Sequence, residues 1–208
     1  IITQANQADL KPDTVLLVVT NPVDVLTYLA ATELGWPARR GLGLGTVLDT
    51  LRFRSLLGEQ LGLDPTRIEA LILREHGDSM VPILSALTYD GRALSSLPRY
   101  SVEAVQEAFA ATRAAGAECL RLKGGAGYAV GLAVRQVVTA VLEDSGVVLP
   151  VSTLQVDGPC REVALSLPTR VGRGGALEVL QPDLSEEEDK GLARSAEVLR
   201  QRIASLRR

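Results

Sequence analysis

The spacing of hydrophobic positions changes after about the first sixty residues. An unbroken run of β-branched and leucine residues at 15–19 predicts a strand buried on both faces, and residues 1–10 predict a helical tail before it. Helical spacing follows at 23–34, then a short apolar segment at 41–45 and a second helical stretch at 47–61. This β-α-β-α order is typical of a parallel sheet covered by helices.

Shorter apolar runs and longer helical periods make up the rest of the chain. The predicted elements are strands at 68–73 and 81–89, helices at 101–120 and 128–143, and paired strands at 147–156 and 162–167. Ser185 and Glu188 form a capping-box pattern that begins the last helix. Its predicted apolar stripe is Leu192, Ala196, Leu199, Ile203 and Leu206.

The two halves of this pattern predict an α/β segment joined to an α+β segment. The strand at 15–19 has no earlier strand to pair with, so one of its edges is expected to be open. Two interpretations follow: the segment is the end of a larger domain, or the strand prediction is wrong. We favour the first.

Composition narrows the class of protein. A net charge of -3 over 208 residues gives no basic surface for nucleic acid, and no apolar run approaches the roughly 18 residues of a membrane span. Cys119 and Cys160 have no ligand-like spacing, which favours reduced thiols in a cytoplasmic protein. A single histidine and two separated cysteines predict no metal site.

His76 is the only histidine, and it follows the predicted strand at 68–73. Imidazole has an unperturbed pKa of roughly 6.5, so His76 is the first candidate for proton transfer near neutral pH. The alternative is a solvated histidine in a loop.

Asp49 and Arg52 are three residues apart on one predicted helix, within an apolar stretch. Asp49 could accept the imidazole N–H, and Arg52 could bind a substrate carboxylate through two hydrogen bonds. The alternative is an intrahelical ion pair. Asn21 ends the first predicted strand, where it could contact a ligand or simply begin a turn.

Two glycine-rich segments, at 41–45 and 172–175, do not have the G-x-G-x-x-G spacing that binds a dinucleotide. The sequence therefore contains no phosphate-binding fingerprint of this type.

Three segments in this order resemble the L-lactate/malate dehydrogenase family, which comprises NAD-dependent L-2-hydroxy acid dehydrogenases. The segments are 19–24 (VTNPVD), 48–54 (LDTLRFR) and 75–79 (EHGDS). The resemblance continues through Lys123 and Gly124, through 150–153 (PVST) and into the last helix, and so covers essentially the whole chain. The combination is highly specific, although each segment alone is weak.

The resemblance implies roles for individual residues. His76 would be the proton donor and acceptor, Asp49 its orienting partner and Arg52 the clamp for the substrate carboxylate. Asn21 would contact both the substrate and the nicotinamide. The implied cofactor is NAD, the substrate a small 2-oxo or 2-hydroxy acid, and the assembly a cytoplasmic homo-oligomer.

Two further positions complete the implied sites. Thr20 would contact the cofactor, and Ala126 would contact the substrate at a place where many lactate enzymes have threonine. Ala126 and the segment 78–82 (DSMVP) favour malate enzymes, whereas 45–48 (GTVL) and 150–153 favour lactate enzymes. The choice between pyruvate/lactate and oxaloacetate/malate stays open.

The chain departs from the family in one respect. It contains no counterpart of the family's amino-terminal half, with its phosphate loop and mobile active-site loop. The expected architecture is therefore a remnant of a parallel Rossmann sheet at 1–46, followed by an α+β substrate-binding and catalytic domain at 47–208. A rival hypothesis is a non-catalytic oligomerisation or binding fragment that retains the fold without the cofactor site.

Overall fold

A computed structural model describes residues 10–77, 79–125 and 127–206. The helical tail predicted at 1–10 lies outside the described residues except for Leu10. The α-helices of the described part are α1 (Val23–Thr32), α2 (Val47–Leu61), α3 (Val102–Lys123), α4 (Tyr128–Leu142) and α5 (Glu186–Leu206). Its strands are β1 (Leu16–Val18), β2 (Gly41–Gly43), β3 (Ile68–Glu69), β4 (Ile72–Leu73), β5 (Val81–Pro82), β6 (Thr88–Tyr89), β7 (Arg92–Ala93), β8 (Val147–Leu149), β9 (Ser152–Leu154), β10 (Ala164–Ser166), β11 (Thr169–Gly172) and β12 (Gly175–Val179).

The largest sheet is mixed and has the strand order β1-β2-β9-β10. β1 and β2 run parallel with Leu17 opposite Leu42, whereas β9 is antiparallel to both β2 and β10. Among the described residues β1 pairs only with β2, so its other edge has no partner strand there. The fold is therefore α/β with mixed sheets, and the carboxyl end of β1 leads directly to Asn21.

Two of the predicted strands are each divided into two shorter strands with different partners. The run at 68–73 becomes β3, which pairs with β6, and β4, which pairs with β5. The run at 147–156 becomes β8, which pairs with β11, and β9. Pro150 lies between β8 and β9, and proline has no amide hydrogen to donate to a ladder.

The predicted strand at 81–89 is interrupted by a 3-10 turn, Leu84–Ala86. The carboxylate of Glu188 explains this interruption, because its Oε1 accepts the amides of Leu84 and Ser85 at 2.8 and 3.2 Å. A side chain distant in sequence therefore takes the hydrogen bonds that a strand partner would have taken.

A hairpin formed by β11 and β12 was not predicted from the sequence. The glycine-rich segment at 172–175 is its turn, with Gly172 opposite Gly175. Gly175 has a φ of 87°, a conformation that glycine adopts without steric cost.

The helix α5 begins with the predicted capping box. The amide of Ser185 donates to Glu188 Oε2 at 2.7 Å, and the amide of Glu188 donates to Ser185 Oγ at 3.4 Å. The predicted stripe is buried with one exception, since Leu206 is 60% exposed. The prediction for Leu206 was wrong because the final turn of α5 extends past the core.

The helix α2 lies between two hydrophobic clusters, which hold it from both sides. Phe53 and Leu57 pack in a cluster that includes Val105 of α3, and Val47 and Leu48 pack in a cluster that includes Val137 of α4. A third cluster joins α1, β10 and α5. No helix in the described part of the chain is long and apolar enough to cross a membrane.

Candidate active site

The segment that carries His76 is fixed to the start of α2 by two threonines. Thr46 Oγ1 donates to the carbonyl of Ile72 at 2.5 Å, and the amide of Ile72 donates to Thr50 Oγ1 at 3.0 Å. These two hydrogen bonds, one turn apart on the helix, set the distance between α2 and the end of β4. Asp49 lies between the two threonines in sequence and is therefore held close to His76.

Other elements fix the next two residues. The main chain of Arg74 exchanges hydrogen bonds with Ser166, at 2.8 and 3.0 Å. The amide of Glu75 donates to Ser195 Oγ of α5 at 3.1 Å, and its buried carboxylate accepts from Arg202 and Ser79. The main chain from Ile72 to Glu75 is therefore held by α2, β10 and α5.

The imidazole of His76 contacts a buried carboxylate. Its Nδ1 lies 2.5 Å from Oδ2 of Asp49, whose side chain is 2% exposed, while the imidazole is 22% exposed. Because Nδ1 faces Asp49, the other ring nitrogen, Nε2, is available to a ligand. The predicted partnership of His76 and Asp49 is thus present in the structure.

Two opposing effects act on the pKa of His76. Burial of the ring lowers its pKa, but the hydrogen bond and the negative charge of Asp49 outweigh burial, and the net pKa is above the usual 6.5. His76 therefore retains its proton at a higher pH than a free imidazole does.

Arg52 lies one turn after Asp49 on α2. One guanidinium nitrogen is 3.8 Å from Asp49 Oδ1, and its side chain is 15% exposed. This ion pair is long and uses one side of the guanidinium, so the remaining donors can bind a carboxylate through parallel hydrogen bonds.

His76, Asp49 and Arg52 line one cleft of about 680 Å³. Thr20 and Asn21, which follow β1, line the same cleft. The same cleft is also lined by Thr112, Arg113, Gly116, Ala117, Cys119 and Leu120 of α3 and by Val130 of α4. Five of the six predicted site residues are thus brought together, and the sixth, Ala126, lies outside the described residues.

Asp24, which the sequence analysis did not single out, also contacts this site. Its Oδ2 accepts the backbone N–H of His76 at 2.8 Å, and the residue is 3% exposed. A sequence signal was available, because Asp24 is an ionisable residue within the otherwise apolar start of a predicted helix.

The glycines at 41–45 are explained by close packing. A Cβ on Gly43 would lie 2.9 Å from the Cβ of Ser152, and one on Gly45 would lie 2.6 Å from the backbone nitrogen of Ser152. These glycines therefore allow β9 to approach β2 and the turn that follows it. Among the described residues, no group of three or more histidine, cysteine or acidic side chains could hold a metal.

Comparison with known proteins gives matches along nearly the whole chain. Residues 46–207 match the family model for the α/β C-terminal domain of lactate/malate dehydrogenases. The L-lactate dehydrogenases of Synechococcus sp. (strain JA-3-3Ab) and Salinibacter ruber are each 45% identical, over 94% of this chain and 65% and 63% of their own lengths. The L-lactate dehydrogenase A chain of Eleginops maclovinus is 42% identical over 90% of this chain and 59% of its own length. The chain thus spans less than two thirds of these relatives.

Proposed function

This chain belongs to the lactate/malate dehydrogenase family, and from that premise we propose that its protein interconverts a 2-oxo acid and an L-2-hydroxy acid with NAD(H). The observation that carries the proposal is the His76–Asp49 hydrogen bond, in a cleft that Arg52 also lines. We further propose pyruvate and lactate as the preferred pair, because the relatives compared above are L-lactate dehydrogenases.

Each side chain has a distinct task in this reaction. Arg52 binds the substrate carboxylate and thereby places the neighbouring 2-oxo group in the cleft. Protonated His76 donates its Nε2 proton to the 2-oxo oxygen, and neutral His76 accepts a proton from the hydroxyl in the reverse direction. Asp49 orients the ring and stabilises the imidazolium. Asn21 donates a side-chain N–H to the same oxygen.

The described residues fit one part of NAD. Thr20 and Asn21 lie where β1 ends, the edge of a parallel strand at which α/β proteins bind ligands, and Val19, Val23 and Val130 add apolar surface to the cleft. These residues would hold the nicotinamide end. When bound, the reduced cofactor supplies the hydride. The described residues offer no glycine loop for the diphosphate, which we assign to the part of the relatives that this chain does not span.

A domain organisation is proposed as well. We propose that residues 1–46 are the carboxyl-terminal part of a Rossmann domain and that 47–208 form the substrate-binding domain. The open edge of β1 supports the first assignment, because a parallel sheet can continue there. Ala126 is proposed as a substrate contact, and the complete protein as a cytoplasmic homo-oligomer.

An NADH oxidation assay on the complete protein, with pyruvate and oxaloacetate as substrates, tests the proposal. His76→Asn is expected to lower kcat by on the order of 100-fold or more, since it removes the acid–base group. Arg52→Lys is expected mainly to raise KM, because lysine cannot form the two parallel hydrogen bonds that a guanidinium makes to a carboxylate.

Arg54→Lys is the matched control for Arg52→Lys. Arg54 lies on the same helix, but its guanidinium faces the carbonyls of Pro65 and Thr66, away from the cleft. We expect its KM to equal that of the unmodified protein. If the complete protein turns over neither pyruvate nor oxaloacetate nor a bulkier 2-oxo acid, the proposed dehydrogenase activity is rejected and a non-catalytic role is favoured.

A further inference from the structure

Arg74 lies two residues before His76, in a place that suits neither its charge nor its backbone. It is 1% exposed, and its φ is 87°, in the left-handed region that bulky side chains rarely adopt. The other described non-glycine residues with a positive φ are exposed acids: Asp90, Asp144 and Glu162. Arg74 is therefore the buried exception among them.

The guanidinium of Arg74 lacks hydrogen bonds that a buried charge needs. Its Nε and Nη2 are buried and have no hydrogen-bond partner among the described residues. Burial lowers the pKa of Arg74 to about 10, and the charges of Glu188 and Asp189 oppose this shift, so the side chain stays protonated at neutral pH. A buried charge without a direct partner is costly, and its presence calls for an explanation.

The space that this guanidinium occupies exists because residue 191 of α5 is glycine. A Cβ on Gly191 would lie 2.8 Å from Cζ of Arg74 and 3.1 Å from its Nη2, and closer still to Nη1. An exposed arginine could swing away from an added methyl group, but Arg74 is buried and has no solvent to swing into. We call this seat at Gly191 the notch.

The same helix also holds the residue between Arg74 and His76. The amide of Glu75 donates to Ser195 Oγ at 3.1 Å, and the Glu75 carboxylate pairs with Arg202. The spacing of Gly191, Ser195 and Arg202 places them on one face of α5. This face therefore contacts both residues that precede His76.

We propose that Arg74 is a positioning residue, which sits in the notch, fixes the main chain before His76 against α5 and so sets the distance from the imidazole to the substrate. The seat in the notch stands on the contact itself, and the effect on the reaction rests on the proposed function. Arg74 is not among the residues that line the cleft, and it acts through His76.

Two helices divide the work in this arrangement. Arg52, which is proposed to bind the substrate carboxylate, lies on α2, whereas the notch lies on α5. A disturbance at the notch therefore displaces His76 without moving Arg52. Proton transfer is sensitive to such a displacement, since an error of about 1 Å can cost on the order of 100-fold in rate. We expect the effect in kcat and not in KM.

The test is a double-mutant cycle in the complete protein. Gly191→Ala adds a methyl group against the guanidinium, and we expect it to lower kcat for 2-oxo acid reduction roughly tenfold with KM unchanged within about twofold. Arg74→Gly suits the φ of 87° and empties the notch. In that background Gly191→Ala is expected to change kcat by less than about twofold.

Gly131→Ala is the matched control. Gly131 also lies within a helix, α4, but a Cβ there would meet no atom within 4 Å. We expect its kcat and KM to equal those of the unmodified protein. Arg74→Gly alone is expected to lower kcat roughly threefold, because the main chain before His76 loses its anchor on α5.

Amide hydrogen exchange, followed by NMR, gives a readout that needs no turnover. The amides of Arg74 and Glu75 donate to the Ser166 carbonyl and to Ser195 Oγ. We expect Gly191→Ala to speed their exchange roughly tenfold, and to have little effect once Arg74 is glycine. Failure of the notch is therefore distinguishable from failure of the proposed dehydrogenase.

Equal effects of Gly191→Ala with and without Arg74 would overturn the proposal. So would a lower Tm in Gly191→Ala with an unchanged kcat, since that result indicates packing alone. If Gly191→Ala does not fold, the double variant decides: recovery of folding by Arg74→Gly supports the notch, and no recovery overturns it. The kcat of Arg74→Gly alone then tests the effect on His76, and an unchanged value would reject that effect.

Discussion

The two sides of the cleft differ in how firmly the chain holds them. One side, here called the floor, consists of Gly45, Leu48, Asp49, Arg52 and His76. The other side, the wall, consists of the cleft-lining residues of α3 and α4 named above. Leu48 on the floor is 6% exposed, whereas Leu120 on the wall is 62% exposed.

The floor is tied to several elements at once. Thr46 and Thr50 bind Ile72, Ser195 binds Glu75 and Asp24 binds His76, so a shift of any one strand is resisted by several hydrogen bonds. The wall presents an exposed apolar side chain at Leu120. Proton transfer needs fixed distances, and the floor provides them, whereas an exposed wall residue such as Leu120 can vary with little cost to folding.

The largest loss of stability on the floor is expected from a substitution at Gly45. Its φ is 53°, and a Cβ there would lie 2.6 Å from the Ser152 nitrogen and 3.0 Å from the Pro150 carbonyl oxygen. Gly45→Ala must therefore displace backbone, and we expect it to lower the free energy of unfolding by about 3 kcal/mol or more. Chemical denaturation measures the loss.

Gly91→Ala is the control for backbone conformation alone. Gly91 has a φ of 72°, and a Cβ there would meet no atom within 4 Å. We expect a cost of roughly 1 kcal/mol at this exposed hairpin turn. Equal losses for the two variants would show that the close approach of β9 does not constrain the floor.

The next largest effect is expected from removing the charge of Asp49. Asp49→Asn keeps an oxygen near Nδ1 but no longer favours the imidazolium, so we expect kcat to fall on the order of 100-fold and the pH profile for reduction to move to lower pH. The measurement is the pH dependence of kcat/KM.

Asp49→Asn should also change stability in a pH-dependent way. The pKa of His76 is raised in the folded state, so the stabilisation it contributes is fully present below 6.5 and is lost as pH rises through the folded pKa. The free energy of unfolding should therefore differ from that of the unmodified protein by about 2 kcal/mol near pH 6 and by less at pH 9. A gap that widens with pH would contradict this assignment.

The floor was more predictable from the sequence than the elements around it. Asp49 and Arg52 share a helix face through their spacing, and the helix itself was predicted at the bounds the structure has, Val47–Leu61. Such features depend on local periodicity. The resemblance supplied the roles of Asn21 and Thr20, and the structure brings both to the cleft.

What escaped prediction depends on distant partners. The 3-10 turn at Leu84–Ala86 exists because Glu188 takes two of its amides, and the division at Pro150 reflects a change from β11 to β2 as partner. Asp24 escaped for the same reason. Its role is visible only once the His76 amide, 52 positions later, is brought to it by the fold.

The smallest effect is expected on the wall, from Leu120→Ala. The side chain is 62% exposed, and alanine favours the helix at least as well as leucine does, so we expect the free energy of unfolding to change by less than about 0.5 kcal/mol. The same substitution on the floor, Leu48→Ala, removes a side chain that is 6% exposed and should cost about 2–5 kcal/mol. Parallel denaturation of the two variants measures the contrast directly. If Leu120→Ala were as costly as Leu48→Ala, the wall would be covered in solution, and the difference between the two sides of the cleft would not hold for the complete protein.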